Sequence, residues 1–191
     1  MTGAANPSAI ELVAVEDPAT REAARQLITE YLRWIASVAA ASYGLSFDIE
    51  AMVRSDIEDR TKFYPPDGRF YLIRREGSSV GVGCLKRLTA SVAEIQRMYV
   101  QPHVRRVGAG RLLLERLLSD ARAIGYGAVR LESLKFLAAA HALYKSVGFA
   151  EITPYADNSM AKYQPGDMME AYRSSAVFME LKLRGGERER E

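Results

Sequence analysis

Residues 100–111 read Val100-Gln-Pro-His-Val-Arg105-Arg106-Val107-Gly108-Ala109-Gly110-Arg111, and this stretch decides the fold. Before it, Ala93-Glu94-Ile-Gln-Arg-Met98-Tyr-Val100 has the character of a strand, which Pro102 ends because proline has no N–H for a ladder hydrogen bond. After it, Leu113, Leu114, Leu117, Leu118, Ala121 and Ile124 recur at helical spacing, and Gly125 stands where a left-handed stop is wanted. A basic, glycine-bearing loop therefore joins a strand to an amphipathic helix. The first N–H groups of such a helix lack internal acceptors and carry the positive end of its dipole, so they suit a diphosphate. Glycine at 108 and 110 keeps side chains away from those amides, while Arg105, Arg106 and Arg111 add positive charge. Taken alone, the two glycines also suit a tight turn with no ligand. Two other phosphate motifs do not fit. A dinucleotide fingerprint needs glycine where Leu113 stands, and a triphosphate loop needs an absent Lys-Ser/Thr pair.

Outward from this centre, residues 10–15 alternate as a strand, and Asp17-Pro18 opens a helix whose apolar stripe includes Ala24, Leu27, Ile28, Leu32 and Ile35. Tyr43 and Gly44 break it, and a shorter helix is predicted from Phe47 toward Glu58. Residues 69–74 and 80–88 form two strands joined by a Glu76-Gly77-Ser78-Ser79 turn. Then come a strand at 129–132, a helix at 136–147, and strands at 149–153 and 176–183. Residues 154–175 make one long connection, of the kind that is often functional. The pattern predicts an α/β (α+β) fold with a mixed central sheet of about seven strands flanked by about four helices. Residues 1–184 are expected to form one domain, and Gly185-Gly186 with the Glu-Arg repeat after it a flexible tail at 185–191.

The 26 basic and 24 acidic residues leave a formal charge of +2, too little for a nucleic-acid binder, so any anion site must be local. Cys84 is the one cysteine and there are two histidines, which excludes an internal disulfide and argues against a metal site. Residues 1–9 lack a secretory pattern and no window reaches the roughly 18 apolar residues of a membrane span, so a soluble cytoplasmic protein is expected. For assembly there is only the base rate that soluble proteins often form homodimers.

Three motifs in order resemble the GNAT superfamily of acyl-coenzyme A N-acyltransferases. Arg105-x-x-Gly108-x-Gly110 matches its pyrophosphate motif, residues 93–100 look like its fourth strand, and Ala140-His-Ala-Leu-Tyr144-Lys-Ser-Val-Gly148-Phe149 looks like its Ala-x-x-Leu-Tyr-x-x-x-Gly-Phe segment. The resemblance implies acetyl-CoA as cosubstrate. Residues Arg105, Arg106, Val107, Gly108, Ala109, Gly110 and Arg111 would wrap its pyrophosphate, and the backbones of Met98 and Val100 would hold its pantetheine arm. Fourth and fifth strands that splay near a bulge would make room for the thioester. Tyr144 matches the tyrosine placed near the sulfur, where a phenol can hydrogen-bond or protonate the leaving thiolate. On an isolated helix it would be an ordinary core aromatic. Glu94 is the candidate base, its alternatives being deprotonation through water or a plain ion pair. Leu137 departs from the family, which often has asparagine there. Cys84 is assigned to packing.

The acceptor pocket implied by the resemblance lies between residues 37–47 and 154–175, the latter carrying Tyr155, Asp157, Asn158, Tyr163 and Arg173. The expected reaction is direct attack by the amine of a small or amino-acid-like molecule. The alternatives are a protein or peptide amine, or a non-catalytic acyl-CoA sensor.

Overall fold

The computed structural model describes residues 10–155 and 169–183. The expectations for residues 1–9, for the tail at 185–191, and for Asp157, Asn158 and Tyr163 lie outside them. The elements are β1 (Ile10–Ala14), α1 (Pro18–Tyr43), α2 (Ile49–Glu58), β2 (Arg69–Arg75), β3 (Ser78–Arg87), β4 (Val92–Val100), α3 (Ala109–Ile124), β5 (Ala128–Leu134), α4 (Ala138–Ser146), β6 (Ala150–Ile152), α5 (Met169–Ser175) and β7 (Ala176–Lys182). A 3-10 turn at Pro102–Val104 links β4 to α3.

Local chemistry sets the boundaries. The Asp17 side chain accepts from the Thr20 N–H at 2.8 Å, and Thr20 Oγ1 accepts from the Asp17 N–H at 3.1 Å, a reciprocal cap that starts α1. Gly44, at φ 67°, closes its other end. The β2–β3 turn is tighter than expected. Glu76 and Gly77 both have positive φ, 52° and 78°, which makes a two-residue hairpin and places Ser78 and Ser79 in β3. A second correction concerns residues 154–175. Their last seven form α5, so among the described residues five helices flank the sheet where about four were expected.

The sheet order is β1-β2-β3-β4-β5-β7-β6, antiparallel except for the parallel β4–β5 pair. Its inner strands are apolar on both faces because helices cover both. Phe70, Leu72, Val82 and Tyr99 pack with α1, α2 and α5, while Tyr71, Ile73, Leu85, Ile95 and Leu131 pack with the leucines of α3 and with Tyr144 of α4.

Two irregularities in β4 position the site. Val82 pairs with Tyr99, yet Cys84 pairs with Gln96, so Arg97 and Met98 together stand opposite Gly83. This is a β-bulge, with Arg97 at φ 56°. Further, β4 pairs with β5 only from Val92↔Ala128 to Glu94↔Arg130. Beyond that point β4 stays with β3 and β5 with β7, so the two strands part.

Candidate active site

The parted strands open a cleft of about 700 Å³. β4 and β5 form two walls, the start of α3 and the inner face of α4 form the others, and Tyr31 and Trp34 of α1 edge the mouth. Of the residues singled out in the sequence, Met98, Val100, Arg105, Arg106, Gly108, Ala109, Gly110, Arg111 and Tyr144 come together on its lining. Val107 does not. Its side chain is exposed.

At the start of α3 the first helical hydrogen bond runs from the Leu112 N–H to the Gly108 carbonyl. The amides of Ala109, Gly110 and Arg111 therefore precede the helical ladder, and no side chain caps them. Arg106 at φ 66° and Gly108 at φ 85° put two left-handed residues just before these amides, a backbone setting typical of anion-binding concavities. A Cβ on Gly110 would reach to 3.5 Å from Leu143 and 3.8 Å from Val100, into the cleft mouth. The arginines are less free than their charges suggest. Arg105 Nε donates to the Val100 carbonyl at 2.9 Å, with its guanidinium over the Trp34 ring at 5.6 Å. Arg111 Nη2 donates to Ser146 Oγ at 2.7 Å.

Tyr144 is buried against Phe149, and burial raises its phenol pKa, so it stays a neutral donor at ordinary pH. Leu137 starts α4 without a side-chain cap and contributes an apolar surface where the family often has an amide.

Glu94 is fully buried and is not part of the cleft lining. It accepts from Gln96 Nε2 at 2.8 Å and from the Tyr155 hydroxyl at 2.9 Å, and lies 3.3 Å from Lys86 Nζ. Among the described residues, the carboxylate on the cleft wall is Glu132 of β5, which accepts from the Tyr172 hydroxyl. The sequence reading missed it, because only the parting of β4 and β5 brings it to the surface. Arg173 is exposed on α5.

A smaller chamber of about 70 Å³ lies toward α1, α2 and α5. Apolar Leu32, Ile35, Phe47 and Met52 line one side of it. Its other side is shared with the cleft through Gln96, Arg97, Glu132, Ser133 and Leu137, so the two spaces meet where the strands part. Arg97 Nε donates to Asp56 Oδ2 at 2.5 Å, and Lys62 Nζ donates to Asp56 Oδ1. Burial alone would lower the pKa of Arg97, but Asp56 outweighs it and raises the value. Cys84 is fully buried, and burial pushes its thiol pKa well up, which suits a packing side chain.

Residues 36–149 match the acetyltransferase (GNAT) family. Over 144 residues the chain is 35% identical to the IAA acetyltransferase of Azospirillum brasilense, covering 75% of this chain and 86% of that one. In fold it is similar to a GNAT-family acetyltransferase from Staphylococcus aureus MU50, with TM-score 0.68 and 18% identity over 92% of this chain and 100% of that one. It is similar also to the PaiA N-acetyltransferase of Thermoplasma acidophilum, solved in complex with coenzyme A, with TM-score 0.64 and 19% identity over 92% and 99% of the two chains. With its cleft, its α3 amides and its parted strands, the chain belongs to the GNAT family and is an acetyl-CoA-dependent N-acetyltransferase. Among the described residues no helix is long and apolar enough to cross a membrane.

Proposed function

We propose that the enzyme transfers the acetyl group of acetyl-CoA to the amine of a small, amino-acid-like acceptor by direct attack in a ternary complex. The observation that carries this reading is the meeting of two spaces at the β4–β5 split, a long cleft on the α3–α4 side and a small chamber on the α1–α2 side. The α3 amides hold the diphosphate, and the β4 backbone at Met98 and Val100 orients the pantetheine arm, with the thioester at the split. The amine reaches that carbonyl from the chamber. Its small size and the similarity to an IAA acetyltransferase favour a small molecule over a protein tail.

In the transfer the amine nitrogen bonds to the acetyl carbon, the carbon–sulfur bond breaks, and one proton must leave the nitrogen. Glu94 is fully buried outside the cleft lining and engaged by Gln96, Tyr155 and Lys86, whereas Glu132 lines both spaces. We therefore assign the proton to Glu132 on the shared wall and give Glu94 a positioning role through Gln96 and Tyr155. Neutral Tyr144 donates to the departing sulfur.

Free-thiol release with a panel of small amines and short peptides tests this reading. Small amines should be turned over, and Tyr144→Phe and Glu132→Gln should each lower kcat by about 10²-fold with acetyl-CoA affinity unchanged. Preference for peptides would replace the acceptor. Absence of turnover with tight coenzyme binding would favour a sensor.

A further inference from the structure

Asp56 is fully buried, and its two cations are nearly so, with 6% of the Lys62 side chain and 8% of the Arg97 side chain exposed. Among the described residues two positive charges thus share one negative charge, a buried surplus of one. A surplus of this kind is costly without a counterion. The neighbouring carboxylates among the described residues have other partners. Glu94 faces Lys86, Glu132 accepts from the Tyr172 hydroxyl, and Glu30 accepts from the Tyr99 hydroxyl at 2.6 Å and from Gln101 at 2.8 Å. Among the described residues, the Arg97 guanidinium has a hydrogen-bonding partner only at Nε, and the side chain lines both spaces.

The bulge explains how an arginine comes to sit here. Ile95 packs on the α3 side, so simple alternation would send residue 97 to that side too. The extra residue instead turns Arg97 toward Asp56 on α2, at the cost of a positive φ that non-glycine residues seldom adopt. A second group points the same way. Gln96 is 8% exposed, and its Nε2 is committed to Glu94, which leaves Oε1 without a partner among the described residues, on the wall shared by both spaces. Continuing the register Glu94↔Arg130 brings Gln96 level with Glu132. One wall of the chamber therefore offers a surplus cation, while beside it stand an unmet acceptor and a carboxylate.

We infer that Arg97 determines acceptor specificity: its guanidinium, turned into the chamber by the β4 bulge and carrying the surplus charge of the Lys62–Asp56–Arg97 cluster, binds the carboxylate of an α-amino-acid-type substrate whose amine lies against Gln96 Oε1 and Glu132. This rests on the chamber being the acceptor site. The terminal nitrogens of Arg97 present two parallel donors to a carboxylate, a geometry that a lysine cannot reproduce.

The test compares small amino acids with their carboxamides and with the corresponding amines lacking the carboxyl group, by free-thiol release. The wild type should prefer the acid by at least about tenfold in kcat/KM, as expected when a charged hydrogen-bonding partner is removed. Acetate and propionate should compete with the acceptor and not with acetyl-CoA. Arg97→Lys keeps a charge for Asp56 but loses the fork. It should raise the KM for the acid, bring the acid-to-amide ratio toward one and leave the KM for acetyl-CoA unchanged. Arg97→Gln should do the same more strongly. Equal use of acids and amides by the wild type overturns the inference while leaving the acceptor reading intact, and so does a variant that loses acids and amides alike. If no small amine is turned over, the acceptor reading falls and this inference with it. The wild-type comparisons stand even if a variant fails to fold.

Discussion

Replacing Asp56 with alanine would leave Lys62 and Arg97 buried side by side with no counterion among the described residues. Removing one partner of a buried pair typically costs about 3–5 kcal/mol, since the remaining charge keeps its desolvation penalty without the attraction that offset it. Here two cations are orphaned and also repel, so the upper part of that range applies. For a chain of this length each kcal/mol moves the midpoint by about 2–4 °C, so a cost of about 4–5 kcal/mol gives a fall of about 8–20 °C. Lys62→Met provides the contrast. It removes the surplus charge and leaves Asp56 with Arg97 as a neutral pair, so it should cost less than about 1.5 kcal/mol. Urea unfolding at neutral pH, followed by far-UV circular dichroism, measures both. A cost below about 1 kcal/mol for Asp56→Ala, or equal costs for the two variants, would refute the charge count behind the cluster.

Two further outcomes follow from other parts of the fold. Burial and the hydrogen bond to Glu30 push the Tyr99 phenol up to about 12 from an ordinary 10. Because the folded state holds that proton more tightly, the contribution to stability is complete below about pH 10 and is lost as pH rises through about 12. Unfolding free energies across that window should decline less steeply in Tyr99→Phe than in the wild type, and identical slopes would remove Tyr99 from the account. A Cβ on Gly68 would meet Phe63 C at 2.7 Å, Tyr64 N at 2.8 Å and Leu85 O at 2.9 Å, all backbone atoms that cannot step aside. Gly68→Ala should therefore cost about 2–3 kcal/mol in the same unfolding assay, and an unchanged midpoint would show that the turn relaxes.

Features written locally were legible in the sequence. The Asp17-Pro18 start of α1, the glycine stops after α1 and α3, and the leucine stripe of α3 each depend on neighbours within a turn or two, and each was found in place. The glycine loop and Tyr144 were legible as motifs and do line one cleft. What escaped depends on pairing between distant segments. α5 has seven residues, too short for periodicity to declare itself, and contributes buried Tyr172 and Ser175. The bulge at Arg97 exists only in the register of β4 against β3, and Glu132 reaches the cleft only because β4 leaves β5 after Glu94. Glu94 was recognised as a strand carboxylate, but its donors Lys86 and Tyr155 come from β3 and from beyond β6, and no local pattern announces them.

The central claim is that the first amides of α3 hold the diphosphate of acetyl-CoA so that its thioester hangs at the β4–β5 split. Calorimetric titration of acetyl-CoA into the wild type and into Gly110→Asp tests it most directly. An aspartate in the first turn suits the helix dipole and should leave the fold stable, while it fills the cleft mouth with a side chain and a like charge. The wild type should bind one equivalent and the variant at least about 50-fold more weakly, with an unchanged melting temperature. Equal affinity in the two proteins, or no binding to the wild type, would contradict the claim.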